Sequence, residues 1–328
     1  MTHPHRRSLL AALLAAGLAP ASLPALAQGS YPDKAVRLAV GFPPGTAPDM
    51  LARLIAQRLG ELLKQQVVVD NRAGAGGQIA TQNVAKSPAD GYSLLLADVG
   101  SIAIAPAAFS KLPYDPSKEL VGVSEVGKVD FLLAVPATSP HRTVADFVKA
   151  YKGQTDKVNF GTFGAGTPGH FGAEMFGEAA GFKVEPIHYR ATGDAVTAIV
   201  AGDVAGAFVS TALGGAQIKG GRMRALATTA PQRSTLLPDV PTFAEAGFPK
   251  MDTSAWFCVF APTGTPTAIL ELLNRQVVAA VQSPESRTRI IDAGFSVSGT
   301  SRADAERMLK AESQRWAAIV KASGFKGD

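Results

Sequence analysis

Short apolar runs alternate with helix-period segments along almost the whole chain, and this alternation restricts the fold more than any other feature. Residues 35–42, 66–70, 93–98, 131–135, 158–163, 184–189, 206–210, 224–229 and 256–261 have strand length and strand composition. Several of these runs are apolar at consecutive positions instead of alternate ones, which suits parallel strands covered on both faces. The predicted class is α/β.

The helical segments carry start signals. Thr46 is placed to cap a helix with Asp49 in its first turn; Leu51, Leu54, Ile55, Leu59 and Leu62 then form an inward stripe, with Arg53, Gln57 and Arg58 toward water. Thr167-Pro168 and Thr265-Pro266 each set a capping hydroxyl before a proline, which loses nothing at the first helical position. Thr143 with Asp146 and Ser301 with Asp304 resemble capping boxes. Three of these helix starts follow strands, where open parallel sheets bind ligands beyond the carboxyl ends of their strands. Two of the connecting turns are rich in glycine, residues 41–49 and 161–170. Unpaired N–H groups and the positive end of a helix dipole favour a carboxylate or phosphate at such a turn. Far apart in sequence, the two could hold one ligand between two lobes.

Length and composition set the frame. Residues 1–27 read as an export signal: Arg6 and Arg7 form a basic start, residues 9–19 a short apolar core, and Ala25-Leu26-Ala27 a small-residue cleavage site. The destination expected is the periplasm, by the general secretory route or, since Arg6-Arg7-Ser8-Leu9-Leu10 resembles a twin-arginine signal, in prefolded form. No later segment approaches the ~20 apolar residues of a spanning helix. Losing Arg6 and Arg7 with the signal lowers the net charge from +5 to +3. No basic cluster alternates with aromatics, so nucleic acid is excluded as a partner. The single cysteine, Cys258, rules out an internal disulfide and reads as a buried small hydrophobe. About 300 mature residues exceed what one core usually supports, so two lobes are expected. Hinges are placed near 126–129 and 252–255, which gives lobe 1 as 28–126 plus 254–328 and lobe 2 as 127–253.

Several candidate groups keep two readings. Gly164-Ala165-Gly166-Thr167-Pro168-Gly169 meets the spacing of a dinucleotide fingerprint, but it lies mid-sequence in an exported chain, so a carboxylate-holding or structural turn is preferred. In the first loop Pro43, Pro44 and Pro48 fix the shape before a ligand arrives. Asp49 is either a functional carboxylate or part of the cap. The third glycine-rich turn, residues 71–78, brings backbone close either to a ligand or to the neighbouring loop. Ser101 is a candidate crevice hydroxyl, and His170 either donates to an anion or orders its loop. His141, His170 and His188 lack the i, i+4 spacing of a metal pair, and no nucleophile elbow is present. Neither a metal nor a cofactor is expected.

These motifs together resemble the Bug family, the extracytoplasmic solute receptors of tripartite tricarboxylate transporters. The resemblance rests on Tyr31-Pro32-Asp33-Lys34 with the 41–49 loop, Val69-Asp70-Asn71-Arg72 with 74–77, Pro88-Ala89-Asp90-Gly91-Tyr92, the 164–170 loop, 221–228, 237–247 and 261–266. It covers essentially the whole mature chain, and 237–247 is its most specific marker. It implies a periplasmic binding protein-like (type II) fold: two α/β lobes joined by strand hinges, with a ligand cleft between them. The resemblance also implies a monomer that closes over a small carboxylic acid and delivers it to the transporter's membrane subunits. The ligand-binding residues expected are Phe42, Pro44, Thr46, Asp49, Ser101, Gly166, Thr167, His170, Tyr189, Ser210 and Thr211.

The chain departs from the family pattern at three places. Gly45-Thr46 stands where two glycines are usual, His188-Tyr189-Arg190-Ala191 replaces Pro-Tyr-Lys-Gly, and Phe208-Val209-Ser210-Thr211 lacks the frequent acidic residue after phenylalanine. Without that carboxylate a ligand amine loses a partner, so the expected ligand is an acid without a charged amine, held distally by Ser210, Thr211 or Tyr189. Two rival readings stand beside this one. One is an exported hydrolase using Asp49 and His170, and the other a ligand sensor for a signalling partner.

Overall fold

Two mixed β-sheets, each flanked by helices, organise the computed structural model, which describes residues 31–189 and 191–327. The segment read as an export signal lies outside the described residues, as does Arg190. In chain order the strands are β1 (Val36–Val40), β2 (Val67–Asn71), β3 (Ser93–Asp98), β4 (Leu120–Val129), β5 (Phe131–Pro136), β6 (Val158–Thr162), β7 (Val184–His188), β8 (Gly206–Ser210), β9 (Met223–Thr228), β10 (Ala255–Pro262) and β11 (Ser296–Val297). The longer helices are α1 (Ala47–Leu63), α2 (Gln78–Ala85), α3 (Val144–Tyr151), α4 (Pro168–Ala180), α5 (Thr192–Ala201), α6 (Thr211–Lys219), α7 (Thr267–Gln282), α8 (Pro284–Asp292) and α9 (Arg302–Ser323). No helix among the described residues is long and apolar enough to cross a membrane.

The first sheet runs β11-β4-β10-β3-β1-β2 and the second β7-β6-β8-β5-β9. The strand-helix-strand units pair in parallel, β1 with β2 and β3, and β6 with β7 and β8. The expectation of parallel pairing fails for β5 and β10, which run antiparallel to both neighbours although every residue in them is buried. The reason is topological. Each enters its sheet from the other lobe, β5 directly after β4 across Asp130 and β10 on the return after β9, so each runs against its neighbours while still being covered on both faces.

Strand β4 escapes the sequence pattern because polar and glycine positions interrupt it, and tertiary partners satisfy them. Ser124 Oγ donates to Thr300 O at 2.9 Å, the Glu125 N–H donates to Thr300 Oγ1 at 2.9 Å, and Asn274 Nδ2 donates to Val123 O at 2.7 Å. A Cβ at Gly127 would lie 2.6 Å from Ser296 O, so only glycine allows β11 to pair there.

The helix starts follow the sequence in part. The Thr143–Asp146 capping box forms, and Ser301 Oγ accepts from the Asp304 N–H at 3.1 Å. Thr46 and Thr265 occupy helix starts without capping them: their hydroxyls donate backward, to Pro43 O at 2.7 Å and Pro262 O at 2.8 Å. The buried stripe of α1 is Leu51, Ala52, Ile55, Ala56, Leu59 and Leu63, rotated from the predicted one because Leu54 and Leu62 lie at its half-exposed edge. In the second lobe a cluster of phenyl rings fills the core, with Phe160 stacked on Phe208 at 6.4 Å and Phe208 on Phe243 at 5.7 Å. Each such ring contributes roughly 1.5–3 kcal/mol by leaving water.

Candidate functional site

The glycine-rich loop after β1 and its counterpart after β6 meet at one cavity of about 570 Å³, counting the space at its mouth. Phe42, Thr46, Ala47, Pro48, Asp98, Val129, Ala255 and Phe257 line it from the first sheet and its loops; Phe131, Phe163, Thr167, Pro168, Gly169, Phe208, Ser210 and Leu213 line it from the second. Helices α1 and α4 both start at this cavity, and the N–H groups of Ala47 and Gly169 have no protein acceptor among the described residues. Both groups are therefore left for an anion.

Close backbone approach makes this geometry possible. A Cβ at Gly169 would lie 2.9 Å from Phe208 O, so glycine lets the first turn of α4 rest directly on β8. On the opposite wall a Cβ at Gly41 would lie 2.5 Å from the Gly77 Cα, so the third glycine turn serves the neighbouring loop, one of its two predicted roles. The lobes also touch through the C-terminal segment: the ring of Phe325 lies 4.9 Å from that of His170, while the Gly327 N–H donates to Ala108 O at 2.8 Å within the first lobe.

The predicted residues divide into two groups. Phe42, Thr46, Thr167 and Ser210 line the cavity. The hydroxyl proton of Thr167, like that of Thr46, is committed to a backbone carbonyl three residues earlier, Gly164 O at 2.8 Å, and Thr167 Oγ1 accepts from the His170 N–H at 3.4 Å. These hydroxyls shape the turns instead of offering protons to a ligand. Ser210 Oγ accepts from the Leu213 N–H at 3.3 Å and keeps its own proton available.

The remaining residues lie outside the lining. Pro44 is exposed and Gly166, at φ +71°, packs against the Phe109 ring. Asp49 accepts from the Gly45 N–H at 2.9 Å, Arg53 Nε at 3.0 Å and Asn71 Nδ2 at 3.0 Å. Burial pushes this carboxyl up, yet the hydrogen bonds from Arg53, Gly45 and Asn71 with the Arg53 charge outweigh it and hold Asp49 below the usual range. His170, 1% exposed, accepts from the Gly166 N–H through Nδ1 at 3.1 Å, which leaves Nε2 facing Glu174 at 3.2 Å. Asp49 and His170 are thus both occupied in ordering loops, and the acid–base pair of a hydrolase is not assembled. Ser101 is buried beside Gly77, with its carbonyl accepting from Tyr114 Oη at 2.7 Å. Thr211 binds the Asp130 carbonyl through both N–H and hydroxyl, at 2.8 and 3.0 Å, and Tyr189 packs on the Ile199–Val204 core cluster.

Asp98 is the lining residue that sequence reasoning missed. It ends β3, is 5% exposed, and makes no ion pair among the described residues. Burial pushes its carboxyl up to about 7, against hydrogen bonds from the Ser101, Asp98 and Gly100 N–H groups. The readable signal was a lone acidic residue at the carboxyl end of an otherwise apolar strand. The acidic residue expected at the ligand was Asp49, which lies outside the lining, whereas Asp98 lies in it. Among the described residues, no group of three or more His, Cys, Asp or Glu is placed to hold a metal.

Comparison with known proteins followed the same outline. The sequence profile of the tripartite tricarboxylate transporter family receptor matches residues 51–325. Protein BugT of Bordetella pertussis is 35% identical, over 90% of this chain and 91% of its own. A Rhodopseudomonas palustris protein solved with adipate superposes with a TM-score of 0.86 at 33% identity, covering 90% of this chain and 99% of its own. MatC from Rhodopseudomonas palustris with bound malate gives 0.82 at 29% identity, over 88% and 100%.

Proposed function

The chain belongs to the tripartite tricarboxylate transporter receptor family, and from that premise we propose that it captures a small organic carboxylate between its two lobes by hinge closure. Members of this family are solute receptors and not enzymes. The observation that carries the proposal is the pair of helix starts, Ala47-Pro48 and Pro168-Gly169, facing one cavity from opposite lobes. Relatives solved with adipate and malate support a carboxylate as the class of ligand. Charge-assisted hydrogen bonds contribute roughly 1.5–3 kcal/mol each, so three or four sustain micromolar affinity after ordering costs.

The chain is exported to the periplasm, acts as a monomer, and presents its closed form to the membrane subunits of the transporter. Lobe 1 comprises 28–126 with 254–328 and lobe 2 comprises 127–253, with the strands crossing between the sheets as hinges. Phe42, Phe131, Phe163, Phe208 and Phe257 favour a ligand with a hydrocarbon or aromatic body over a heavily hydroxylated one. A thermal-shift panel of mono-, di- and tricarboxylates with aromatic acids tests the reading, since a ligand at 100 times its dissociation constant stabilises by about 2.7 kcal/mol. A panel in which no acid raises the melting temperature overturns it.

A further inference from the structure

Asp98 lines the cavity without a counter-ion among the described residues, and its surroundings decide what it can do there. The lining next to it is almost wholly apolar: Phe257 is its cross-strand partner on β10, and Phe42 lines the same cavity from the loop after β1. From the turn that follows β3 the Ser101 N–H approaches Oδ1 at 3.4 Å. Tyr114, whose hydroxyl donates to Ser101 O, is the titratable group near enough to interact with Asp98. Among the described residues, no lysine, arginine or histidine lines the cavity. Besides the Ala47 and Gly169 N–H groups and the Ser210 hydroxyl, donors for an anion are few among the described residues, because the protons of Thr46 and Thr167 are spent on Pro43 O and Gly164 O.

Resting on the receptor reading above, we propose that Asp98 is the specificity-determining group of the cleft: as a neutral acid it donates its proton in a hydrogen bond to a carboxylate oxygen of the ligand. Solvent supplies that proton on capture and takes it back on release, so binding of an organic anion is linked to uptake of one proton. An ionised Asp98 and an ionised ligand carboxylate in one low-dielectric cavity would repel, and a carboxyl pushed up to about 7 before any ligand arrives is ready to stay protonated. The same neutrality disfavours a ligand ammonium, which would need Asp98 ionised and finds few other acceptors among the phenyl rings.

The sign of the linkage follows. The anion binds the protonated form, so affinity is flat below the Asp98 pKa and falls as pH rises through it. With adipate and benzoate as probes, the dissociation constant is expected to weaken on the order of tenfold between about pH 6.5, where both acids are already ionised, and about pH 8.5. Calorimetry of the wild-type protein at about pH 7.5, in two buffers of different ionisation heat, is expected to report uptake approaching one proton. Asp98→Asn, which keeps the shape and a donor, is expected to bind with a flat pH profile and no proton uptake. Failure of every carboxylate in the thermal-shift panel removes the receptor reading and this inference with it. Carboxylate binding with a flat or rising wild-type pH profile, or 6-aminohexanoate binding more tightly than adipate as pH rises, overturns the role of Asp98 alone.

Discussion

Neighbouring strands β1 and β3 each lead to a buried aspartate, Asp49 beyond the loop after β1 and Asp98 as the last residue of β3, and the two carboxyl groups have opposite fates. Asp49, in the first turn of α1, is surrounded by donors: Arg53, Asn71 and the Gly45 N–H hold it ionised and tie the first loop to β2. Asp98, at the end of β3, has backbone N–H groups for donors and aromatic rings in the cavity beside it, and burial drives it toward the neutral acid. Both are hidden from water; what separates them is the charge of the neighbouring side chains. A carboxylate with a cation and full hydrogen bonding is a structural clamp, whereas one left without a cation in an apolar cavity is free to interact with a ligand.

The largest expected effect separates the two by pH. The unfolded chain ionises Asp98 near 3.8 and the folded chain near 7, so the stability that goes with its neutral form is full below about pH 4 and is lost as pH rises toward 7. Asp98→Asn should therefore flatten the fall in stability between about pH 4 and 7 and stabilise the ligand-free protein at neutral pH, on the order of 3 kcal/mol in urea titrations. An unchanged slope would show that Asp98 ionises freely. Asp49 has the reverse sign. Its lowered pKa contributes stability above the unfolded value of 3.8, and that contribution disappears as pH falls through the folded value. Asp49→Ala is expected to cost about 2–3 kcal/mol at neutral pH by leaving Asn71 and the Gly45 N–H without their acceptor, measured by the same titrations. A loss below about 0.5 kcal/mol would make the clamp an ornament of the surface. The smallest effect belongs to Tyr114→Phe, which removes the hydrogen bond to Ser101 O behind Asp98 and should cost about 1 kcal/mol with little change in ligand affinity.

The strand-helix alternation, the two glycine-rich turns at helix starts and the family membership were legible in the sequence because each depends on local pattern. Thr143 with Asp146 is a case in point: a cap needs only residues three apart, and it forms as the spacing requires. Strand β4 was illegible for the opposite reason, since Ser124, Glu125 and Gly127 suit a strand only once residues 296–300 arrive to pair with them. Thr46 and Thr167 line the cavity, yet the direction of their hydroxyl protons, back to Pro43 and Gly164, depends on how tightly each loop folds.

By itself, then, the chain determined most of its elements, its lobed α/β class and the glycine-rich loops that meet at the cavity, because periodicity, caps and glycine placement act over a few residues. Only the tertiary structure decided which strands run antiparallel, which of two aspartates is clamped and which is left facing an apolar cavity. The reason is that charge and burial are set by neighbours distant in sequence: Asn71 reaches Asp49 from β2, and Phe257 is brought beside Asp98 by a strand that returns from the other lobe.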